Sequence, residues 1–222
     1  MSLPSSPTAI SHVVLRPVAT PLPLGFLGLF LATVGFTTLK LHWVPDDQSH
    51  TVAIAVLAST VPLQLLACII MGFLARDPAA ATGMGLLSGG WAAACLATLS
   101  SPPGTTSGGL GVVLCCVGIA LLVPAVAAAP KLAACAVISV SAARFALTGI
   151  AQVRGSDAWL ALAGWVGLRL GLLSLYAAFA FELERGPGEG PLPTGRHGSA
   201  HPEDQAPDPD TIAQEPAVRG RL

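Results

Sequence analysis

The apolar residues of this chain come in long blocks. Six can be marked: Pro23 to Trp43, Thr51 to Ala75, Ala79 to Leu99, Leu110 to Ala129, Leu132 to Val153, and Ala158 to Phe181. A bilayer core of about 30 Å takes roughly 20 apolar residues of helix, so each block predicts one membrane-spanning helix. The connections are short and carry turn and breaker chemistry: VPDDQSH, RDP, SSPPGTTSGG, PK and RGSD. Short connections predict consecutive helices packed as antiparallel neighbours, and they leave no room for a soluble domain. The fold class expected is an all-α membrane protein with six helices in one bundle.

Composition sharpens this picture. Of 222 residues, 53% are hydrophobic and only 10% charged, and the mean hydropathy is +0.70. A soluble domain averages about 25% charged residues, so this chain lacks the polar surface to cover itself in water. The net charge of -1 and the absence of a basic stripe give no electrostatic case for nucleic acid. The partner expected first is the lipid bilayer.

Polar residues mark the ends. Residues 1–19 read as a flexible N-terminal arm without the basic start and apolar core of a signal peptide. Residues 20–184 form the membrane domain. Residues 185–222 are rich in Pro, Gly and charge, lack helical periodicity, and are expected to be a disordered cytoplasmic tail. Arg16, Arg76, Lys131 and Arg185 fall on one side of the predicted bundle, Lys40 and Arg154 on the other. The excess places both termini in the cytoplasm and the protein in the inner (plasma) membrane. Pro62 and Pro124 lie inside the second and fourth blocks and predict kinks.

Two positions break the apolar pattern. Arg144 and Arg169 each lie near the middle of a block. Arg at a helix centre costs roughly 2.5–3.5 kcal/mol on insertion scales, and guanidinium does not shed its proton. Each must face protein, water or a counter-ion. The acids are Asp46, Asp47, Asp77, Asp157 and those from Glu182 onward, and none is deep in a block. One reading is therefore an anion from outside, a small carboxylate moving along a wet path, gripped by the guanidinium fork. Another is structural: backbone carbonyls freed by Pro or Gly, a partner among Gln64, Ser139, Ser141 and Gln152, or snorkelling. Lys40 lies near the end of the first block and is expected to reach the interface.

Enzyme chemistry finds no foothold. The five histidines lie outside the deep blocks, and no HExxH, G-x-S-x-G or P-loop pattern occurs. The five cysteines, Cys68, Cys95, Cys115, Cys116 and Cys135, have no metal-site spacing and read as small buried hydrophobes. No catalytic residue, metal or cofactor is expected.

Glycines recur through the blocks, with Gly167 and Gly171 forming a small-xxx-small pair. The first block opens with Thr20-Pro21-Leu22-Pro23-Leu24-Gly25-Phe26, and the last carries Ala163-Gly164-Trp165, then Gly167, Gly171 and Tyr176. These resemble the acetate uptake transporter family, the succinate–acetate permease type, whose signature is Asn-Pro-Ala-Pro-Leu-Gly-Leu. The resemblance implies a homohexamer whose subunits each enclose a pore for acetate and related short monocarboxylates, sometimes succinate, often proton-coupled. It places Thr20, Pro21, Pro23, Leu24 and Gly25 at one pore mouth. A hydrophobic constriction would then involve Leu29, Phe30, Gly90, Trp91 and a residue between Ala143 and Leu147, with Tyr176 in the last span. The chain departs from the family in Thr20 for Asn, Leu29 for an aromatic, and Gly90 for Tyr, which would leave the gate wider or blocked by Trp91. Arg144 and Arg169 match no family feature. The expected function is a membrane transporter or channel for small monocarboxylates. A non-transporting scaffold or accessory protein, or a channel for another small solute, is the alternative.

Overall fold

The computed structural model describes residues 22–68, 77–184 and 191–195. The helices are α1 (Leu22–Lys40), α2 (Ser49–Leu66), α3 (Pro78–Leu99), α4 (Gly108–Ala120), α5 (Leu122–Ala127), α6 (Leu132–Arg154) and α7 (Asp157–Glu182). Among the described residues, six helical stretches are long and apolar enough to cross a membrane, α4 and α5 together making the fourth. The protein has a multi-pass membrane fold, with helix boundaries near those the apolar blocks predict.

The helix ends follow local chemistry. The Asp77 carboxylate accepts the Ala80 N–H at 3.1 Å, with Pro78 at the first helical position of α3. Ser107 Oγ accepts the Leu110 N–H at 3.3 Å to open α4. Gly155, at φ 61°, closes α6 in the left-handed conformation.

The two prolines behave differently. Pro124 lacks the N–H that would bond the Ala120 carbonyl, and α4 stops at Ala120 before α5 resumes at Leu122. Pro62 is carried inside α2, which runs unbroken to Leu66. The part of the second block beyond Cys68 lies outside the described residues.

Each span packs on its sequence neighbours: α1 on α2, α2 on α3, α3 on α4, α4 on α6, and α6 on α7. The extensive α1–α7 contact joins the first span to the last. The six spans therefore form a closed ring. Apolar burial alone gives helices little reason to associate in lipid, so close approach matters. The α4–α6 pair shows it: a methyl group on Gly111 would fall 2.7 Å from the Gly149 carbonyl oxygen, and one on Gly149 2.6 Å from the Gly111 carbonyl oxygen. Only glycine permits this spacing.

The ring has two ends. Residues 41–48, 100–107 and 155–156 connect spans at one, called here the distal end. At the proximal end Lys131 and Asp77 pair at 2.5 Å. The proximal interior is mostly apolar, packed with Phe26, Leu29, Met84, Leu87 and Ile138, and it also buries Thr60, Gln64 and Ser174.

Residues 191–195, expected to belong to a disordered tail, are docked. The Gly195 and Thr194 carbonyls accept the Leu132 and Ala133 N–H groups, both at 3.2 Å, filling two donors that the start of α6 leaves open. Thr194 is buried there. Residues 1–19, 185–190 and 196–222 lie outside the described residues. All five cysteines are free. Cys68 and Cys95 are buried as expected, but Cys116 is exposed on the outer wall.

Candidate functional site

In α6, Val137, Ile138, Ser141, Arg144, Phe145 and Thr148 are all buried. This spacing is one helical face, so the register that turns the apolar stripe inward also turns Arg144 inward. Arg144 lies 12 residues after Leu132 and 10 before Arg154, or roughly 15–18 Å from either end at 1.5 Å per residue. It is 2% exposed.

Three neighbours define where the guanidinium sits. Its Nη2 donates to the Thr33 carbonyl of α1 at 3.4 Å. Its carbon lies 4.7 Å from the centroid of the Trp91 ring of α3, a cation–π distance. On α7, Gly167 leaves the room: a methyl group there would lie 2.7 Å from Arg144 Nε and would overlap Thr37 Oγ1. Nε itself has no acceptor among the described residues. Of five N–H donors, one makes a hydrogen bond to protein, and it is long.

Trp91 is 1% exposed and held between aromatic rings, Phe36 at 5.5 Å and Phe145 at 5.3 Å between centroids. The Phe145 ring also fills the space beside Gly90, where a methyl group would come within 2.9 Å of Cε1. Gly90 therefore does not widen a gate here. Phe145 and Val117 occupy the volume that a larger side chain would take.

Above this aromatic layer, toward the distal end, lies a cavity of about 50 Å³. Arg144, Trp91 and Phe145 line it with Lys40, Phe36 and Thr148. A water-sized sphere needs about 10–15 Å³ by this measure, so the space admits about three to five such spheres. Lys40 is 9% exposed and does not reach outward. Its Nζ donates to Thr148 Oγ1 at 2.5 Å, and the Thr148 hydroxyl donates to the Arg144 carbonyl at 2.9 Å. Two basic side chains thus share one cavity, and among the described residues no carboxylate lines it.

The expected site residues divide. Trp91 and Arg144 meet at the cavity. Pro23, Gly25 and Leu29 are buried on the proximal side of α1, with Met84 against Gly25. Leu24 is half-buried, as are Phe30 and Leu147. None of these six lines the cavity. Thr20 and Pro21 lie outside the described residues.

Arg169 and Tyr176 correct the sequence reading. Both are exposed on α7, along an outward face with Leu162, Trp165, Leu172 and Phe179. Gly167, Leu170, Gly171 and Ser174 take the inward face, and a 3.6-residue period puts Arg169 nearly opposite Gly167. The Tyr176 hydroxyl donates to the Pro193 carbonyl at 2.9 Å. Nor do the polar partners considered for Arg144 meet it. Ser141 Oγ donates to Val137 O at 2.7 Å, and Gln152 Oε1 accepts the Ser107 N–H at 2.8 Å. Gln64 is fully buried with neither amide atom bonded to protein.

Sequence reasoning missed Phe36 and Thr148 and turned Lys40 toward the interface, while Phe145 falls in the interval from Ala143 to Leu147 that the resemblance marked. One signal was available: Phe36 and Lys40 are four apart on α1, as are Arg144 and Thr148 on α6, and each pair shares a face.

No protein-family model matches the chain, and no curated protein matches it at a significant level. Among solved structures it is similar to one described as the bacterial acetate channel SatP, with a TM-score of 0.69 and 22% sequence identity. The match covers 80% of this chain and 99% of that one. At this identity the likeness is one of architecture: the chain has the six-span fold of a bacterial acetate channel.

Proposed function

We propose that this chain is a membrane channel or transporter for small monocarboxylates such as acetate, and a member of the acetate uptake transporter family. The observation that carries the reading is the Arg144 guanidinium, at mid-depth, lining a cavity that no carboxylate shares among the described residues. A carboxylate about 4 Å from a guanidinium gains roughly 4 kcal/mol at an effective dielectric of 20. Such an attraction offsets part of the cost of taking an anion out of water and raises the barrier for Na⁺ or K⁺. The shared fold with a protein described as an acetate channel supports the same substrate class.

Passage follows from the layering. An anion enters the cavity from the distal end, sheds water against Phe36 and Phe145, and exchanges it for guanidinium donors. The aromatic layer and the packed proximal interior then close the path, as hydrophobic constrictions do. Transit requires Trp91 to swing from its stacked position. Proton coupling, succinate as a further substrate, assembly as a homohexamer, placement in the inner membrane and cytoplasmic termini belong to the same proposal. The chain is read as a channel or carrier without enzymatic activity, cofactor or metal.

The test is uptake of labelled acetate by liposomes containing the purified protein, with and without a pH gradient. Flux is expected above that of empty liposomes, and Arg144→Ala should lower it at least tenfold. Absence of flux for acetate, propionate, lactate and succinate would end the transport reading. Equal flux in both preparations would remove Arg144 from the mechanism.

A further inference from the structure

The cavity contains more hydrogen-bond donors than acetate fills. Lys40 and Arg144 both line it, and the other neighbours are mostly apolar or aromatic, including Phe36, Trp91, Phe145 and Leu114. An ammonium has three N–H donors, and Lys40 gives one of them to Thr148. The Thr148 hydroxyl has committed its own hydrogen to the Arg144 carbonyl. Two ammonium donors and most of the guanidinium fork are therefore free for a guest.

We propose that the cavity grips its anion at two points, Arg144 taking a carboxylate and Lys40 a second oxygen on the adjacent carbon. The preferred class is then the two- and three-carbon carboxylates bearing a 2-hydroxy, 2-oxo or second carboxylate group, ahead of acetate itself. This rests on the cavity being the substrate site proposed above.

Geometry limits the class from both sides. Thr148, which anchors Lys40, lies one turn beyond Arg144 on α6, a rise of about 5.4 Å per turn. A carboxylate held bidentately by the guanidinium fork has both oxygens engaged, so the free Lys40 donors are left for a further oxygen on the guest. Acetate presents oxygen at one end only. A cavity of about 50 Å³ excludes longer dicarboxylates from being enclosed whole, so succinate falls behind oxalate.

The experiment measures binding to the full chain in detergent at neutral pH, by calorimetry, with acetate, glycolate, oxalate and succinate as probes. Glycolate and oxalate should bind at least tenfold more tightly than acetate, and oxalate more tightly than succinate. Lys40→Met should bring the glycolate-to-acetate ratio to about one, and Lys40→Arg should keep it well above one. Thr148→Val serves as a second variant, expected to reduce the ratio by releasing Lys40 from its anchor. Equal binding of acetate and glycolate to the unmodified protein would overturn the proposal, as would a ratio unchanged in Lys40→Met. The transport reading fails separately. Tight glycolate binding without flux would remove transport and keep the two-point site, whereas acetate flux with equal binding would do the reverse.

Discussion

Gly167→Ala tests whether the guanidinium position is set by a missing side chain. The added methyl would stand 2.7 Å from Arg144 Nε and 3.4 Å from Nη2, and it would overlap Thr37 Oγ1. Carbon and nitrogen rest at about 3.5–4.0 Å, so the guanidinium must retreat by about 1 Å. It has little freedom to do so. Trp91 stands 4.7 Å away on one side, and the Thr33 carbonyl holds Nη2 at 3.4 Å. Overpacking of this kind costs about 1–3 kcal/mol, and loss of the Thr33 hydrogen bond adds about 1 kcal/mol. Alanine's better helix propensity returns up to about 1 kcal/mol. The net expectation is a loss of about 1–3 kcal/mol, read as a melting temperature lower by roughly 3–10 °C in detergent. Acetate uptake should fall at least tenfold, since a displaced Arg144 no longer meets the cavity squarely. Gly89→Ala is the control: nothing lies within 4 Å of a methyl group there, and it should match the unmodified protein in both assays. If Gly167→Ala melts and transports like Gly89→Ala, the account of how Arg144 is seated is wrong.

Other residues give further expectations. Trp91→Ala removes the ring stacked between Phe36 and Phe145; it should cost about 3–5 kcal/mol and raise passive leak of acetate, measured as efflux from preloaded liposomes. Arg169→Leu replaces an exposed charge outside the cavity; uptake per inserted protein should stay within about twofold of the unmodified chain, and loss of uptake would return Arg169 to the pathway. Asp77→Ala removes both the α3 cap and the partner of Lys131; it should lower stability by about 1–2 kcal/mol, visible in a detergent melt, with the acetate affinity unchanged.

The six spans were legible because a bilayer demands length and apolarity, and both are properties of a one-dimensional string. The ends of α3 and α6 were marked by Asp77-Pro78 and by Gly155. The site was legible only in part. Arg144 stood out by its charge, yet the same argument selected Arg169, which faces outward. Charge in an apolar block says that a residue needs an explanation, not which face it occupies. That depends on neighbours from α1 and α3, which no local spacing encodes. Lys40 was misread for the converse reason. A lysine near a helix end usually reaches the interface, but here Thr148, 108 positions away in sequence, gives it a partner inside. At Gly90 the sequence left open a wider gate or a block by Trp91, because it does not show that the volume beside this glycine belongs to Phe145 of α6.

The closed ring has a consequence for biogenesis. Five of its six seams join spans that leave the ribosome one after another, so each hairpin can zip as it is inserted. The sixth seam, between α1 and α7, waits until the whole domain has been synthesised. Arg144 arrives with α6, before Gly167 and the α1–α7 seam complete its enclosure. A nascent chain stalled after α6 therefore carries an unsheltered positive charge at mid-depth, a mark by which membrane quality control can tell an unfinished wall from a finished one.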